Sequence, residues 1–307
     1  MSSKYQNESL ELPILSPSMM SQRGKRKSSS IDNITPSTSV SQDLDSADQN
    51  NDYPNEKKMK PSSSSRDDME SKSPSDIRLY MENTFDVRRS FITIEAPTIA
   101  MIKETYPCLF IDKELLVEFQ RVTDLDIDHT IQEYCVKYAS GIIDLSRNYP
   151  GSSGILQQAS EVKEENVALR QYWDMVTALC LLPMLMRENL TEMVYEIGSM
   201  EEPDPKGRIV PMLLSKGPIF KSDEFFLVAE EQIVQEFEEF TIAFAALFSA
   251  YWVFNMQYPR TLTNTYNFIQ KGILHIRDSY PIPPVSKQLV QRLQKWGRVT
   301  DGKAKRR

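Results

Sequence analysis

Glycine, histidine and cysteine are scarce in this chain of 307 residues, which holds ten, two and three of them. Each shortage removes a kind of chemistry. With so little glycine, loops that cradle phosphate with bare backbone are hard to build, and no P-loop, GxGxxG, nucleophile elbow or HExxH occurs. His129 and His275 are dispersed among Cys108, Cys135 and Cys180, whereas zinc takes three or four such ligands at recognisable spacing. Neither histidine has a sequence partner for acid–base work, and His275 is placed to serve the last carbonyls of a helix. Three cysteines without a CxxC pair or a secretory signal fit a reducing compartment. Long apolar runs are missing too. Ile242–Phe254 is shorter than the ~20 residues a membrane span needs, and acidic residues crowd its N-terminal side, so it reads as a core helix.

What is present is unevenly spread. Residues 1–76 are rich in Ser, Asp, Asn, Lys and Pro and poor in large apolar side chains, so they read as a disordered tail. Residues 77–297 suffice for one core, and 298–307 read as a short basic tail. Segments 1–75 and 285–307 carry 18 of the 36 basic residues but only 12 of the 43 acidic ones. That leaves 18 basic against 31 acidic residues in 76–284, a net charge of −13. So acidic a body repels phosphate backbones, which confines any nucleic-acid contact to the basic tails.

The pattern predicts a mainly α fold (α+β) with a small hairpin. Helices are expected over Phe85–Ile94, from Pro97 to Tyr106, over Asp112–Val122 with Asp112 as cap, and over Asp126–Leu145. After the loop Asn148–Gly154, one long helix is expected over Ser160–Leu181, opened by an imperfect capping box and stopped or kinked by Pro183, then a short helix over Thr191–Ile197. Arg208–Leu214 and Phe225–Ala229 read as a hairpin, about 208–229. A helix apolar almost all round, about 237–256, must be enclosed by protein or lipid. Breaking at Tyr258-Pro259, the chain continues into an amphipathic helix, and a last one covers Val285–Trp296.

Several landmarks occur in order: TFDVRR at Thr84–Arg89, EAPTIAMIKETYPCLF at Glu95–Phe110, EFQRVT at Glu118–Thr123, YWVFNMQYP at Tyr251–Pro259 and FIQKGIL at Phe268–Leu274. Together they resemble a family of animal proteins, expanded in fishes, many of them labelled as similar to sterile-alpha-motif-domain-containing protein three. The resemblance covers about residues 80–277. It implies a shared fold, and it implies no established catalytic activity, cofactor or ligand. No sterile alpha motif is legible, since the N-terminal region that would hold it reads as disordered.

The candidate sites divide into chemistry and charge. Asp124, Asp126 and Asp128 alternate like oxygen ligands for Ca²⁺ or Mg²⁺, yet an EF-hand loop needs Gly and Glu where His129 and Cys135 stand, so helix capping is the better reading. Arg88-Arg89 suits a carboxylate or phosphate clamp, or ion pairs within the acidic body. The basic clusters suit nuclear import: Lys25, Arg26 and Lys27; Lys57, Lys58 and Lys60; Lys303, Lys305, Arg306 and Arg307. RNA or an anionic membrane competes for the same charges. Ser16, Thr35 and Ser73 each precede proline and are candidate phosphorylation sites beside those clusters. The expectation is a non-enzymatic interaction or regulatory protein of the nucleus, with protein partners and no cofactor. A divergent metal-dependent nucleic-acid enzyme of mobile-element origin and a small-molecule-binding helical domain, with its cavity at Phe244, Phe248 and Tyr251, are the alternatives.

Overall fold

In the computed structural model, which describes residues 73–304, short helices come first, each ended by a backbone reversal. Helix α1 (Pro74–Asn83) starts with Pro74 at its first position, and the Ser73 side-chain oxygen accepts the Asp76 N–H at 3.2 Å. Helix α2 (Phe85–Ser90) runs on as a π turn, Phe91–Glu95, and stops at Ala96 with φ 49°. Pro97 then precedes the cap instead of opening the helix: Thr98 caps α3 (Ile99–Thr105) by accepting the Met101 N–H. A 3-10 turn, Pro107–Phe110, leads to α4 (Glu114–Thr123). Asp112 does not cap α4. It makes a left-handed turn (φ 46°) one residue ahead of the capping position, which Lys113 takes.

Helix α5 (Ile127–Ser146) begins as expected, with the Asp126 carboxylate accepting the His129 N–H at 3.0 Å. The single helix expected over 160–181 is two. Helix α6 (Ser152–Glu165) ends at Asn166, whose φ of −130° leaves the helical region, and α7 (Arg170–Leu185) follows a 3-10 turn. The break folds α7 back on α6, where Lys163 Nζ meets Asp174 Oδ1 at 2.6 Å. Ser160 therefore lies inside α6, and Pro183 falls within the last turns of α7 without ending it.

The expected hairpin is part of a four-stranded sheet: β1 (Val194–Ile197), β2 (Met212–Lys216), β3 (Phe225–Ala229) and β4 (Gln232–Phe237), in spatial order 1-2-3-4. Leu214 pairs with Phe226 across the antiparallel β2–β3 ladder, while β1 runs parallel to β2. Residues 191–197, expected as a helix, supply a 3-10 turn and β1. A parallel pair needs a crossover. Here it is the irregular segment 198–211, which reaches the β3–β4 turn, where Gly207 and Glu230 donate backbone N–H groups to the Glu231 carboxylate and the Ile209 carbonyl.

Helix α8 (Phe240–Val253) is buried at every position but Ile242. It touches α4, α5 and α7 together with β2, β3 and β4, so helices cover one side and the sheet the other. That explains a helix without a polar face. Phe248 and Trp252 each meet Phe119 of α4 edge-on at 6.0 Å, and Phe240 meets Phe225 of β3 at 5.6 Å. Beyond it come α9 (Thr263–Phe268), extended by a π turn Ile269–Ile273, and α10 (Pro284–Ala304). Gly141 on α5 admits the Trp296 ring of α10, since a Cβ there would sit 2.9 Å from it.

The two downstream landmark motifs share one buried hydrogen-bond chain. Trp252 Nε1 donates to the Tyr258 hydroxyl at 3.0 Å, which donates to Gln270 Oε1 at 3.1 Å. Gln270 Nε2 donates to Asp278, which pairs with Lys271 at 2.8 Å. Burial pushes the hydroxyls of Tyr251, Tyr258 and Tyr266 above their ordinary value of 10.0. Unfolding lets them ionise from pH 10 upward, so the unfolded state loses protons first, and stability present below pH 10 is lost above it. Three such groups remove about 4 kcal/mol at about pH 11. The buried thiols of Cys135 and Cys180, also raised, add to the loss from about pH 9 upward, while Arg89, lowered to about 10 by burial, acts in the opposite direction. Urea unfolding at rising pH measures the net loss; a midpoint that holds constant to about pH 11 would mean these hydroxyls ionise in the folded protein.

Candidate functional site

The residues singled out for chemistry are taken up in holding the fold. Asp124 ends α4 in the left-handed conformation (φ 59°), Asp126 caps α5, and the Asp128 carboxylate accepts from Gln132 at 2.9 Å. Among the described residues no three His, Cys, Asp or Glu gather in a metal-binding group. His275 closes the π turn through a left-handed backbone (φ 57°) with its side chain exposed. All three cysteines are buried thiols outside any disulfide; burial pushes Cys135 up to about 12 and Cys180 in the same direction, which keeps both protonated. Among the described residues no helix is long and apolar enough to cross a membrane.

Arg88 and Arg89 tie the first helices to the core. Arg88, fully buried, donates from Nε and Nη2 to both oxygens of the equally buried Glu118 on α4, at 2.8 and 2.6 Å. Its remaining donors reach Thr84 Oγ1 and the Met81 carbonyl. Arg121 adds a second cation 3.1 Å from Glu118 and contacts Glu82 and Glu114. Arg89 Nη1 donates to the Val253 carbonyl at the C-terminus of α8, at 2.8 Å, where the helix dipole favours a cation. The pair thus makes an ion pair and a helix-end contact in place of a ligand clamp. Phe244, Phe248 and Tyr251 are buried and pack among the core rings, and the Tyr251 hydroxyl donates to the Pro211 carbonyl.

Of the charge-based candidates, Ser73 is exposed at the cap of α1, its hydroxyl donating to the Asp76 carboxylate at 2.7 Å. Lys303 lies in the last turn of α10. The clusters at 25–27 and 57–60, Lys305–Arg307, Ser16 and Thr35 lie outside the described residues.

The opening that does exist is elsewhere. A cleft of about 420 Å³ runs between the first turns of α6, the 3-10 turn before β1, β1 itself and the β2–β3 connection. Ile155, Leu190, Val194, Ile219 and Phe220 give it apolar walls, and the Glu196 carboxylate stands at its rim, accepting the Ile219 N–H at 2.9 Å. One side of the cleft is the free edge of the sheet. Met193 and Ile197 turn their carbonyls toward β2, accepting from Leu213 and Gly217 at 2.9 Å. Strand geometry then sends the N–H and C=O groups of Val194 and Glu196 the other way, into the cleft. Among the described residues no group takes them up. Sequence reasoning missed this edge because a four-residue strand owes its form to β2, fifteen or more residues away; Val194, Tyr195 and Ile197, all strand-favouring, were the available signal.

The part of the chain that carries α1, α2, α3 and the 3-10 turn has a match. Residues 55–111 fit the model of the sterile alpha motif domain-containing protein 3 helical domain. Over a longer stretch, 206 residues are 24% identical to the sterile alpha motif domain-containing protein 3 of Homo sapiens, covering 67% of this chain and 38% of that protein. The Mus musculus protein of the same name is 23% identical over 204 residues, again covering 38% of its length. The chain is similar to sterile alpha motif domain-containing protein 3. It spans about two fifths of the length of those curated relatives, and the family match is to their helical domain. No solved structure matches the chain. Sterile alpha motif domain-containing protein 3 thus shares with it the segment holding Thr84–Arg89 and Glu95–Phe110, in which Arg88 and Arg89 are seated.

Replacing Arg88 by Met leaves Glu118 buried with Arg121 as its nearest cation, and should lower stability by about 3 kcal/mol in urea unfolding. Changing Glu118 to Met in the same chain should recover most of that loss, because the uncompensated charge goes with it. A double variant no more stable than Arg88→Met would mean that packing, and not the buried charge, sets the cost.

Proposed function

We propose that this protein is a non-enzymatic interaction module that takes an extended peptide along the free edge of β1, and that its basic clusters carry it into the nucleus. The unpaired N–H and C=O groups of Val194 and Glu196, facing an apolar-walled cleft, carry the first part. An edge of this kind binds by strand addition, in which main-chain hydrogen bonds supply affinity and side-chain pockets supply selectivity. The fates of Asp126, Arg88 and Tyr258, all engaged in holding the fold, favour binding over catalysis as its role. The nuclear part rests on sequence: Lys25–Lys27, Lys57–Lys60 and Lys303–Arg307 are short basic runs of the import type. Ser16, Thr35 and Ser73 are the modification sites that would weaken such contacts by adding negative charge.

Two experiments test the two parts. A short peptide of lysines around one apolar residue should bind the full chain, and methylating its backbone nitrogens should weaken binding at least about tenfold, since each methyl removes a main-chain donor. Equal binding by both peptides would defeat strand addition. Changing Lys57, Lys58 and Lys60 to Ala and ending the chain after Gly302 should shift a fluorescent fusion from nucleus to cytosol; an unchanged distribution, or a cytosolic wild type, would defeat import.

A further inference from the structure

The charge around the β1 cleft points to what fills it. From Glu188 to Pro205 the chain has six acidic residues and no basic one. Glu192 and Glu196, on and beside β1, are exposed. The cations on the flanking segments are Arg187, Lys206, Arg208, stacked on the Tyr195 ring at 5.3 Å, Lys216, paired with Glu224 at 3.0 Å, and Lys221 next to Phe220. An occupant must therefore be extended, free of proline over the paired residues, and carry an apolar residue for the cleft next to basic ones for the carboxylates.

The chain carries such a segment. In Lys57-Lys58-Met59-Lys60 every residue has a backbone N–H, and the nearest prolines, Pro54 and Pro61, lie outside it. Strand alternation puts Met59 and Lys57 on one face and Lys58 and Lys60 on the other. The apolar run Leu10–Leu15 fits less well: Pro13 interrupts it, and Glu8 and Glu11 would meet Glu192 and Glu196. Reach is sufficient. The residues between Lys60 and Ser73 span up to about 40 Å when extended, on the order of the diameter of a folded chain of this size.

We infer that Lys57–Lys60 docks in cis as a fifth strand on β1, pairing with Val194 and Glu196, with Met59 in the apolar cleft and Lys57, on the same face, against the Glu196 carboxylate. This rests on the reading of β1 as a peptide-binding edge. Docking and receptor binding then compete for the same lysines, so the edge regulates whether the cluster is available.

Hydrogen exchange on the full chain tests it. In wild type the amides of Val194 and Glu196 should be protected, and changing Lys57, Lys58 and Lys60 to Glu should speed their exchange about tenfold while leaving α8 unaffected. These substitutions lie outside the described residues, and unchanged exchange across α8 checks that the fold is intact. Equal exchange in the two proteins overturns docking in cis, and so does protection that grows with protein concentration, which would identify a second copy as the occupant. Adding a Lys-Lys-Met-Lys peptide to the Glu variant separates the two readings. Renewed protection after equal exchange would keep the edge while rejecting the in-cis strand; no protection would reject both.

Discussion

A helix with no polar face has to be surrounded, and α8 sets that requirement for everything around it. Phe240–Val253 offers rings and small residues in all directions, so one covering layer cannot satisfy it. Helices α4, α5 and α7 take one side and strands β2, β3 and β4 take the other. The sheet is small, yet it buries Phe225, Leu227 and Ala229 against α8 and keeps Leu214, Phe226 and Val228 for a second cluster on its far face. Burying each large side chain is worth about 1.5–3 kcal/mol, so this enclosure outweighs any single polar contact in the molecule.

Polar groups inside that enclosure are nearly all matched in short chains. Trp252, Tyr258, Gln270 and Asp278 hand hydrogen bonds from the centre to the ion pair with Lys271. Arg88 and Glu118 do the same for the first helices, beneath α4. A buried pair of this kind adds little net stability compared with an apolar replacement, but it fixes which arrangement is compatible with burial. That accounts for the position of the landmark motifs: they hold residues that must find each other for the core to close.

The free edge of β1 stands apart from this economy. Its neighbours are satisfied, while Val194 and Glu196 face a cleft walled by α6 and the β2–β3 connection. Edge strands are usually blunted by bulges, charge or a covering element. Here the nearby carboxylates of Glu192 and Glu196 supply negative charge, which discourages acidic strands. The family model matches residues 55–111, ahead of the edge, while the similarity to sterile alpha motif domain-containing protein 3 runs over 206 residues.

Much of the helical layer was legible without coordinates, because its signals are local. The Asp126 cap, the stop at Ala96-Pro97 and the apolar circumference of α8 each act within a few residues. Asn166 was not legible as a break, since nothing in its immediate neighbours forbids a helix and the gain comes from folding α7 back on α6. Nor was β1, whose strand form depends on pairing with β2 across an irregular crossover. By itself the sequence determined that Phe240–Val253 must be buried and that the chain pairs an acidic body with a basic C-terminal end and basic clusters in an otherwise charge-balanced N-terminal segment. Only the tertiary structure decided that Arg88 answers Glu118 and that one strand edge stays open. Those outcomes depend on which distant groups are brought within hydrogen-bonding range, and sequence separation carries no measure of that distance.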